Sequence, residues 1–327
     1  MTRVLAALCA AGCLTGTAAV ELVNRDVYLM GTRARLAMYA ETHEAGLSVL
    51  EEALGILERA EDQLTTWNQD SDISRLNRTP IGTAWPASDD LCPLFEELYD
   101  WHRETGGAFD PGIGALAAAW NIHGTGVVPS RPELERARLD VGLDRLDFDR
   151  ERCTLTRRAD VRIDVGGFGK GEALDRVARR FPATPWMIDL GGQVSVGAPH
   201  PSGNGWTVDI AHPSDRERTA MQITLRSGSL STSGSSERDQ EVNGVRVGHI
   251  LDPRTGSPAA YRGAVVVWHE RALVADMLST ALYVMGPETG VRWAASRGLA
   301  VCYLTDAASG VRTLMTDAFA SIVVPPA

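Results

Sequence analysis

The pattern of apolar and polar positions predicts several helices. Leucines between Leu47 and Leu64 recur at steps of three to four residues, or multiples of them, and so form one apolar stripe of an amphipathic helix. A second helix is expected to begin near Ser88, a suitable N-cap, and to end before the glycine pair at 106–107. Helical patterns also occur in three further segments: 129–139, 272–285 and 288–296.

Short strands are predicted in the other apolar segments. Residues 28–39 resemble one strand interrupted at positions 30–32, and residues 153–163 resemble strands joined by a turn. Later strands, separated by Gly, Pro, Asn and Ser, are expected at 187–190, 206–210, 221–225, 264–268 and 299–304. Strands and helices are mixed without strict alternation, and no Pro- or Ser-rich linker divides the chain. We therefore expect an α+β fold with one large domain.

The first 19 residues have the composition of a secretory signal peptide. Arg3 precedes an apolar stretch over residues 4–14, and small residues at 17–19 fit a cleavage site. The stretch is shorter than the roughly 20 residues that span a bilayer. Lipidation of Cys13 is the alternative, but the leucine usual three residues before a lipidated cysteine is missing. We expect simple cleavage and an exported mature chain.

Composition and charge exclude several classes of protein. The chain has 327 residues, of which 44% are hydrophobic and 23% charged, as in ordinary globular proteins. Its net charge of -10 argues against nucleic acid as a partner, because phosphate backbones select basic surfaces. Cys92, Cys153 and Cys302 remain after removal of the leader, so at least one thiol is unpaired. No Cys-x-x-Cys pair occurs, and structural zinc is not expected.

Residues 164–171 combine a carboxylate, a glycine-rich backbone and Lys170, the only lysine in the sequence. Backbone amides at a glycine-rich helix start bind phosphate readily. The segment is not a Walker P-loop, because Gly171 stands where Ser or Thr would bind magnesium, and its glycine spacing is not that of a Rossmann fingerprint. Residues 163–167 recur in similar form at 188–192. Either two turns meet one ligand, or both are simply tight turns.

Two other segments carry side chains suited to catalysis. His249 is the residue type best suited to proton transfer near neutral pH, and residues 252–255 add a carboxylate, a guanidinium and a hydroxyl. Asp276 and Thr280 are four residues apart on a predicted helix, so their oxygens project from one face. Mg²⁺ accepts such hard ligands and completes its shell with water and substrate phosphates. Structural roles are the alternative for each residue.

Eight segments, each weak alone, occur together in an order that is typical of a known family. They are residues 30–32; Trp67 with 71–77; 107–111 with Trp120; 164–171; 191–192 with Trp206; 232–234; 249–256; and Asp276 with Thr280. Together they resemble the ApbE-type FAD:protein FMN transferases, a family of flavin transferases. The resemblance implies a single flavin transferase domain over residues 20–327. It also implies Mg²⁺-dependent transfer of FMN from FAD to a threonine or serine hydroxyl of an acceptor protein, with release of AMP.

The same resemblance implies roles for individual residues. The expected FAD contacts are Met30, Trp67, Ala108, Phe109, Asp110, Asp164, Lys170 and Ile250. The backbone of Gly167, with Asp276 and Thr280, is expected to hold Mg²⁺, and His249 to help deprotonate the attacking hydroxyl. The chain departs from the family pattern at Val165, Gly169, Ser235, Ser236 and residues 121–123. These departures bear on acceptor choice and adenine contacts more than on the reaction.

We therefore expect an exported enzyme, located in the periplasm or on the outer face of the cytoplasmic membrane. Its expected partners are FAD and an acceptor redox protein with a flavinylated threonine. Membrane association would come through that acceptor or through a lipidated Cys13. One alternative is an FAD pyrophosphatase that gives FMN and AMP with water as the nucleophile. The other is a non-catalytic FAD-binding protein, against which His249, Asp276 and Thr280 argue.

Overall fold

The structure is a computed structural model that describes residues 20–235, 239–242, 244–308 and 310–322. The predicted signal peptide with Cys13, and Ser236, lie outside the described residues. Within this part of the chain, no helix is long and apolar enough to cross a membrane.

The described residues form seventeen strands and nine α-helices. The strands are β1 (Glu21–Leu29), β2 (Thr32–Ala40), β3 (Ala84–Pro86), β4 (Leu146–Asp149), β5 (Thr154–Arg157), β6 (Trp186–Leu190), β7 (Gln193–Val196), β8 (Trp206–His212), β9 (Asp215–Leu225), β10 (Gly228–Gly234), β11 (Gln240–Val242), β12 (Val245–Val247), β13 (Leu251–Asp252), β14 (Ser257–Pro258), β15 (Ala264–His269), β16 (Ala300–Ala307) and β17 (Gly310–Met315). The helices are α1 (His43–Leu64), α2 (Asp72–Arg78), α3 (Leu91–Glu104), α4 (Gly114–Trp120), α5 (Arg131–Leu139), α6 (Gly169–Arg180), α7 (Ala272–Met285), α8 (Pro287–Ala295) and α9 (Asp317–Ile322).

One antiparallel sheet of eight strands organises the molecule, in the order β1-β2-β6-β7-β10-β15-β16-β17. Alternate side chains of each strand enter different cores, as the period of two requires. In β15, Val265 and Val267 pack on the side of α7, whereas Ala264 and Val266 pack against the β8–β9 hairpin and α9. Helices therefore cover one face and a hairpin with a short helix covers the other. The α+β prediction is confirmed.

The segment predicted as one interrupted strand is a hairpin of two strands. Leu29 pairs with Thr32, so the chain reverses over Met30 and Gly31. Both turn residues have positive φ, 50° and 70°, as a two-residue hairpin turn of type I′ requires. Positive φ is uncommon for methionine, and Met30 adopts it here in the turn between two strands.

The helix predicted from its leucine stripe is α1, with one exception in the stripe. Leu50, Leu54, Leu57 and Leu64 are buried, but Leu47 is 37% exposed, so its assignment to the buried face is wrong. At this end of the helix it is the adjacent Gly46 that is buried, against Val23 of β1. The stripe therefore begins at Leu50.

The second predicted helix begins later than its apparent cap. The helix α3 starts at Leu91, and the carbonyl of Ser88 accepts from the amides of Leu91 and Cys92 in the turn that leads into it. The hydroxyl of Ser88 accepts from Gln63 Nε2 at 3.1 Å. Asp90 takes the N-cap position.

Residues 153–163 contain one strand, β5, rather than two joined by a turn. After β5 the chain leaves the small β3-β5-β4 sheet. The backbone of Ile163 is bonded instead to Asn77, whose amide accepts from its N–H at 2.7 Å and donates to its carbonyl at 2.9 Å. The Asn77 side chain thus takes the place of a neighbouring strand, and residue 163 lies outside any strand, whereas the corresponding residue 188 lies within β6.

A disulfide joins Cys92, in α3, to Cys153 just before β5. Cys302 is a free, buried thiol whose pKa burial raises to about 12. The sequence leaves the pairing among the three cysteines open, because connectivity depends on which segments the fold brings together.

Removing this disulfide should destabilise the protein without touching the cavity described below. The bridge closes a loop of 61 residues, so Cys92→Ser with Cys153→Ser should lower the free energy of unfolding by about 2–4 kcal/mol. Urea denaturation with and without dithiothreitol measures this. The reductant should destabilise the native chain and leave the double variant unchanged; equal sensitivity of both would contradict the expectation.

Candidate active site

A cavity of about 620 Å³ lies where the β1–β2 turn, β10 and α7 meet the glycine-rich segment before α6. This volume is within the range of about 300–1,000 Å³ usual for small-molecule sites. Eleven of the twelve residues predicted for the site line it: Met30, Trp67, Ala108, Asp110, Asp164, Gly167, Lys170, His249, Ile250, Asp276 and Thr280. Gly166, Gly167 and Gly191 line it too, so the two glycine turns do meet at one cavity.

Phe109 is the predicted residue whose ring the structure places elsewhere. Its side chain is buried in the main helix-side core. One edge of the ring lies behind Gly167, 3.5 Å from the position that a Cβ would take there. The ring therefore supports the glycine turn from behind.

Asp276, on α7, is surrounded by polar groups from α6 and β10. One carboxylate oxygen, Oδ2, accepts from the backbone N–H of Gly171 at 3.0 Å. The other, Oδ1, accepts from the Ser231 hydroxyl at 3.3 Å and lies 3.5 Å from Lys170 Nζ. A buried carboxylate is costly unless it is paired and hydrogen-bonded, and these three groups supply both.

Thr280 lies one helical turn after Asp276 and faces Gly167. Its Oγ1 is 3.1 Å from the position that a Cβ would take at residue 167. Backbone and hydroxyl approach this closely only because glycine has no side chain. Carboxylate, hydroxyl and carbonyl oxygens are the ligands that Mg²⁺ prefers, so these residues fit the predicted metal site.

The surroundings limit what kind of metal site this is. Within the described ranges, no group of three or more His, Cys, Asp and Glu residues is arranged to hold a metal ion. A cation beside Asp276 would have one carboxylate and would depend on water and substrate phosphates for the rest of its shell. That is the usual arrangement for Mg²⁺ in sites that process nucleotides.

A methyl group at residue 167 should impair the site more than the fold. In Gly167→Ala the new Cβ would lie 3.1 Å from Thr280 Oγ1, which forces the threonine to shift. Small displacements of catalytic groups lower rates by up to about 100-fold, so we expect turnover to fall by about 10–100-fold with little change in melting temperature. Gly169→Ala is the matched control, since its Cβ meets atoms at 3.5 Å or more. Equal turnover of both variants would contradict the proposal that the site needs the close approach of Thr280 to the backbone of Gly167.

Lys170 is in the first turn of α6, and its side chain is partly exposed to the cavity. The N-terminus of a helix carries partial positive charge. Gly169, the first residue of α6, also lines the cavity. The only lysine and a helix N-terminus therefore face the same space, which favours an anionic ligand such as a phosphate.

His249 is held by a carboxylate that the sequence does not single out. Its Nδ1 lies 3.0 Å from Asp239 Oδ1, and its backbone N–H donates to the same oxygen at 3.2 Å. Asp239 is ten residues upstream, and no spacing rule links the two positions. The imidazole is 18% exposed and lines the cavity.

A second histidine, His123, also belongs to the cavity wall and is absent from the predicted set. Its Nε2 lies 2.5 Å from Asp164 Oδ2, while Asp164 Oδ1 accepts from the N–H of Gly166 at 2.9 Å. The ring contacts Trp67 edge to face, with centroids 5.8 Å apart. Trp67 is 75% exposed, so one face of its indole is open to a planar ligand.

Asp110 lines the cavity, but its carboxylate is bonded to the protein. It accepts from the backbone amides of Gly112 at 2.7 Å and Leu143 at 3.1 Å, and Oδ2 lies 3.3 Å from His102 Nδ1. Burial raises the pKa of Asp110, and His102 and the two amides oppose that effect. The contact of this carboxylate with FAD remains a prediction.

An α+β fold with a histidine, a lysine and a buried carboxylate around one cavity is typical of an enzyme that acts on a phosphate-bearing ligand. Residues 30–303 match the ApbE family. The chain belongs to this family, and the prediction of an ApbE-type flavin transferase is confirmed.

Individual relatives and solved structures are similar to this chain along almost its whole length. The FAD:protein FMN transferase of Escherichia coli (strain K12) is 27% identical over 319 residues, which cover 94% of this chain and 91% of that protein. The transferase of the same name from Treponema pallidum is 29% identical, covering 86% and 83%. Among solved structures, the ApbE protein of Thermotoga maritima superposes with a TM-score of 0.86 at 27% identity, covering 93% of this chain and all of that one. The flavin transferase ApbE of Vibrio cholerae has a TM-score of 0.82 at 26% identity, with the same coverage.

Proposed function

We propose that this protein is an FAD:protein FMN transferase that moves FMN from FAD to a threonine or serine hydroxyl of an acceptor protein and releases AMP. The observation that carries the proposal is the convergence of His249, Lys170 and the pair Asp276–Thr280 on one cavity. The nearly full-length similarity to transferases of that name supports it.

Groups in the cavity suit the flavin ring and the pyrophosphate of FAD. The open face of Trp67 suits the planar flavin ring. The ammonium of Lys170 and the partial positive charge at the start of α6 suit the pyrophosphate, on which negative charge is concentrated. Asp276, Thr280 and the backbone of Gly167 would hold Mg²⁺ next to it. When bound, Mg²⁺ would offset the charge of the pyrophosphate and of the leaving phosphate.

The residues of the chain then account for the transfer step. The acceptor hydroxyl oxygen forms a bond to the phosphorus on the FMN side, and the bond from that phosphorus to the bridging oxygen breaks. AMP leaves with the bridging oxygen and its electron pair. His249 takes the hydroxyl proton as the nucleophile attacks, and Lys170 balances the charge that develops on the leaving group.

We extend the proposal to the location and the partner. The predicted leader supports export to the periplasm or to the outer face of the cytoplasmic membrane. The Cys92–Cys153 disulfide is consistent with this, because disulfides persist in oxidising compartments. The acceptor would be a redox protein with a flavinylated threonine, and it would supply any attachment to the membrane.

Product analysis tests the proposal. The mature chain is incubated with FAD and Mg²⁺, with and without an acceptor domain, and AMP and free FMN are quantified. We expect AMP to appear with the acceptor and without matching free FMN. Equal amounts of AMP and free FMN under both conditions would indicate a pyrophosphatase, and intact bound FAD would indicate a binding protein; either result would overturn the proposal.

A further inference from the structure

A two-stranded hairpin brings Asp239 to His249. β11 and β12 pair antiparallel with Gln240 opposite Val247, so Asp239 lies just before one strand and His249 shortly after the other. Gly248 directly precedes His249, and its Cβ position would be 3.7 Å from Asp239 Oδ1. The carboxylate therefore reaches both the ring and the backbone of His249.

We propose that Asp239 is a positioning residue for His249, which it holds in the tautomer with the proton on Nδ1. This inference rests on the proposed transferase function for its catalytic consequence. An ionised carboxylate only accepts hydrogen bonds, so the Nδ1 at 3.0 Å from Oδ1 has to donate. Nε2 is then the basic nitrogen of a ring that lines the cavity.

Asp239 contacts both the backbone and the side chain of His249. Because Oδ1 accepts from both the His249 N–H and Nδ1, the ring is fixed relative to its own main chain. The Asp239 side chain is only 3% exposed, so water competes little for that oxygen. A single orientation of the imidazole follows, with little entropy left to lose in the reaction.

Tyr283, on the same helix as Asp276, is also close enough to this carboxylate to feel its charge. Burial raises the pKa of Tyr283 to about 12, and the charge of Asp239 contributes to the shift. The Tyr283 hydroxyl donates to the carbonyl of Tyr261 at 2.9 Å. The phenol thus stays neutral, and its proton is directed to a carbonyl while Asp239 bonds to His249.

In the transfer step, Nε2 would take the proton of the acceptor hydroxyl while Nδ1 keeps its own. The resulting imidazolium is adjacent to an ionised Asp239, which stabilises it without becoming protonated. No other proton acceptor is needed at this stage. Removing the carboxylate should therefore lower the rate of transfer and leave the binding of FAD nearly unchanged.

The tautomer is measurable without any reaction. ¹⁵N NMR of the histidine-labelled protein, with His249→Gln to assign the resonance, should show a protonated Nδ1 and an unprotonated Nε2 for His249. The opposite tautomer, or an even mixture, in the unmodified protein would overturn the proposal. This result does not depend on transferase activity, so a failure of the proposed function is distinguishable from a failure of this inference.

Kinetics of the isosteric variant test the catalytic consequence. Asp239→Asn can offer either an oxygen or an NH₂ group to Nδ1, so we expect mixed tautomers. The turnover number should fall by about 10²–10⁴-fold, while the Kd for FAD, from quenching of flavin fluorescence, stays within threefold.

The double variant separates positioning from support of the fold. Asp239→Asn added to His249→Gln should cause no further loss of transfer, because the carboxylate acts through the ring. A full additional loss, or a parallel fall in FAD affinity and melting temperature, would mean a structural role and would overturn the proposal. If the asparagine variant does not fold, the NMR measurement on the unmodified protein still decides.

Discussion

Replacing His249 with glutamine is expected to lower the rate of FMN transfer by about 10²–10⁴-fold, the usual contribution of a general base, and to leave FAD affinity within about threefold. The reason is that the imidazole faces the cavity and is already bonded through Nδ1 to Asp239. Glutamine keeps polarity and approximate size but has no basic nitrogen. Single-turnover kinetics with saturating FAD and Mg²⁺ isolate the transfer step from binding.

His123→Gln is the matched comparison for this experiment. His123 also lines the cavity and is also paired with a carboxylate, Asp164, but it lies against Trp67. We expect this variant to weaken FAD binding and to change the transfer rate much less. If His123→Gln abolished transfer and His249→Gln did not, the assignment of the base would be wrong.

We expect the replacement of Asp276 with alanine to remove the proposed Mg²⁺-dependent turnover. The carboxylate is the only acidic side chain among the three residues proposed to hold the cation, so its loss takes away the charge that attracts Mg²⁺. It also leaves Gly171, Ser231 and Lys170 without their shared acceptor. The dependence of rate on Mg²⁺ concentration, and calorimetric titration of Mg²⁺ with FAD present, measure the effect.

Ser279→Ala provides the control on the same helix. Ser279 is buried next to Asp276 and its hydroxyl is bonded to Ser231 and Ser233, yet it is not proposed as a ligand. This variant should keep its dependence on Mg²⁺, with melting temperatures reporting any loss of stability. Unchanged activity of Asp276→Ala with added Mg²⁺ would contradict the metal site.

Long periodic helices could be predicted from the sequence, whereas short helices, an unusual turn and contacts between distant residues could not. The predicted helix over 272–285 coincides with α7, because its apolar run is long enough to decide between helix and strand. α2 and α4 have seven residues each, too few for a clear period. The reversal at Met30 was missed because methionine is an unusual residue for a turn with positive φ.

The same distinction applies to the site. The predicted residues that line the cavity lie in motifs of contiguous or helically spaced positions, which one chain reveals. Asp239 and His123 act through partners 10 and 41 residues away, brought close by a hairpin and by the tertiary fold. Phe109 lies inside a predicted motif, but its ring is in the core and packs behind the turn at Gly167.

The intact mass of the acceptor tests the central claim most directly. The mature chain, FAD, Mg²⁺ and an acceptor domain are incubated together, and the acceptor is measured by mass spectrometry with His249→Gln as the parallel reaction. The account predicts covalent addition of one FMN to a threonine or serine, in step with AMP, and no addition with the variant. The acceptor is chosen as one that a related transferase does modify. If its mass stayed unchanged while AMP and free FMN were released, the result would contradict the account.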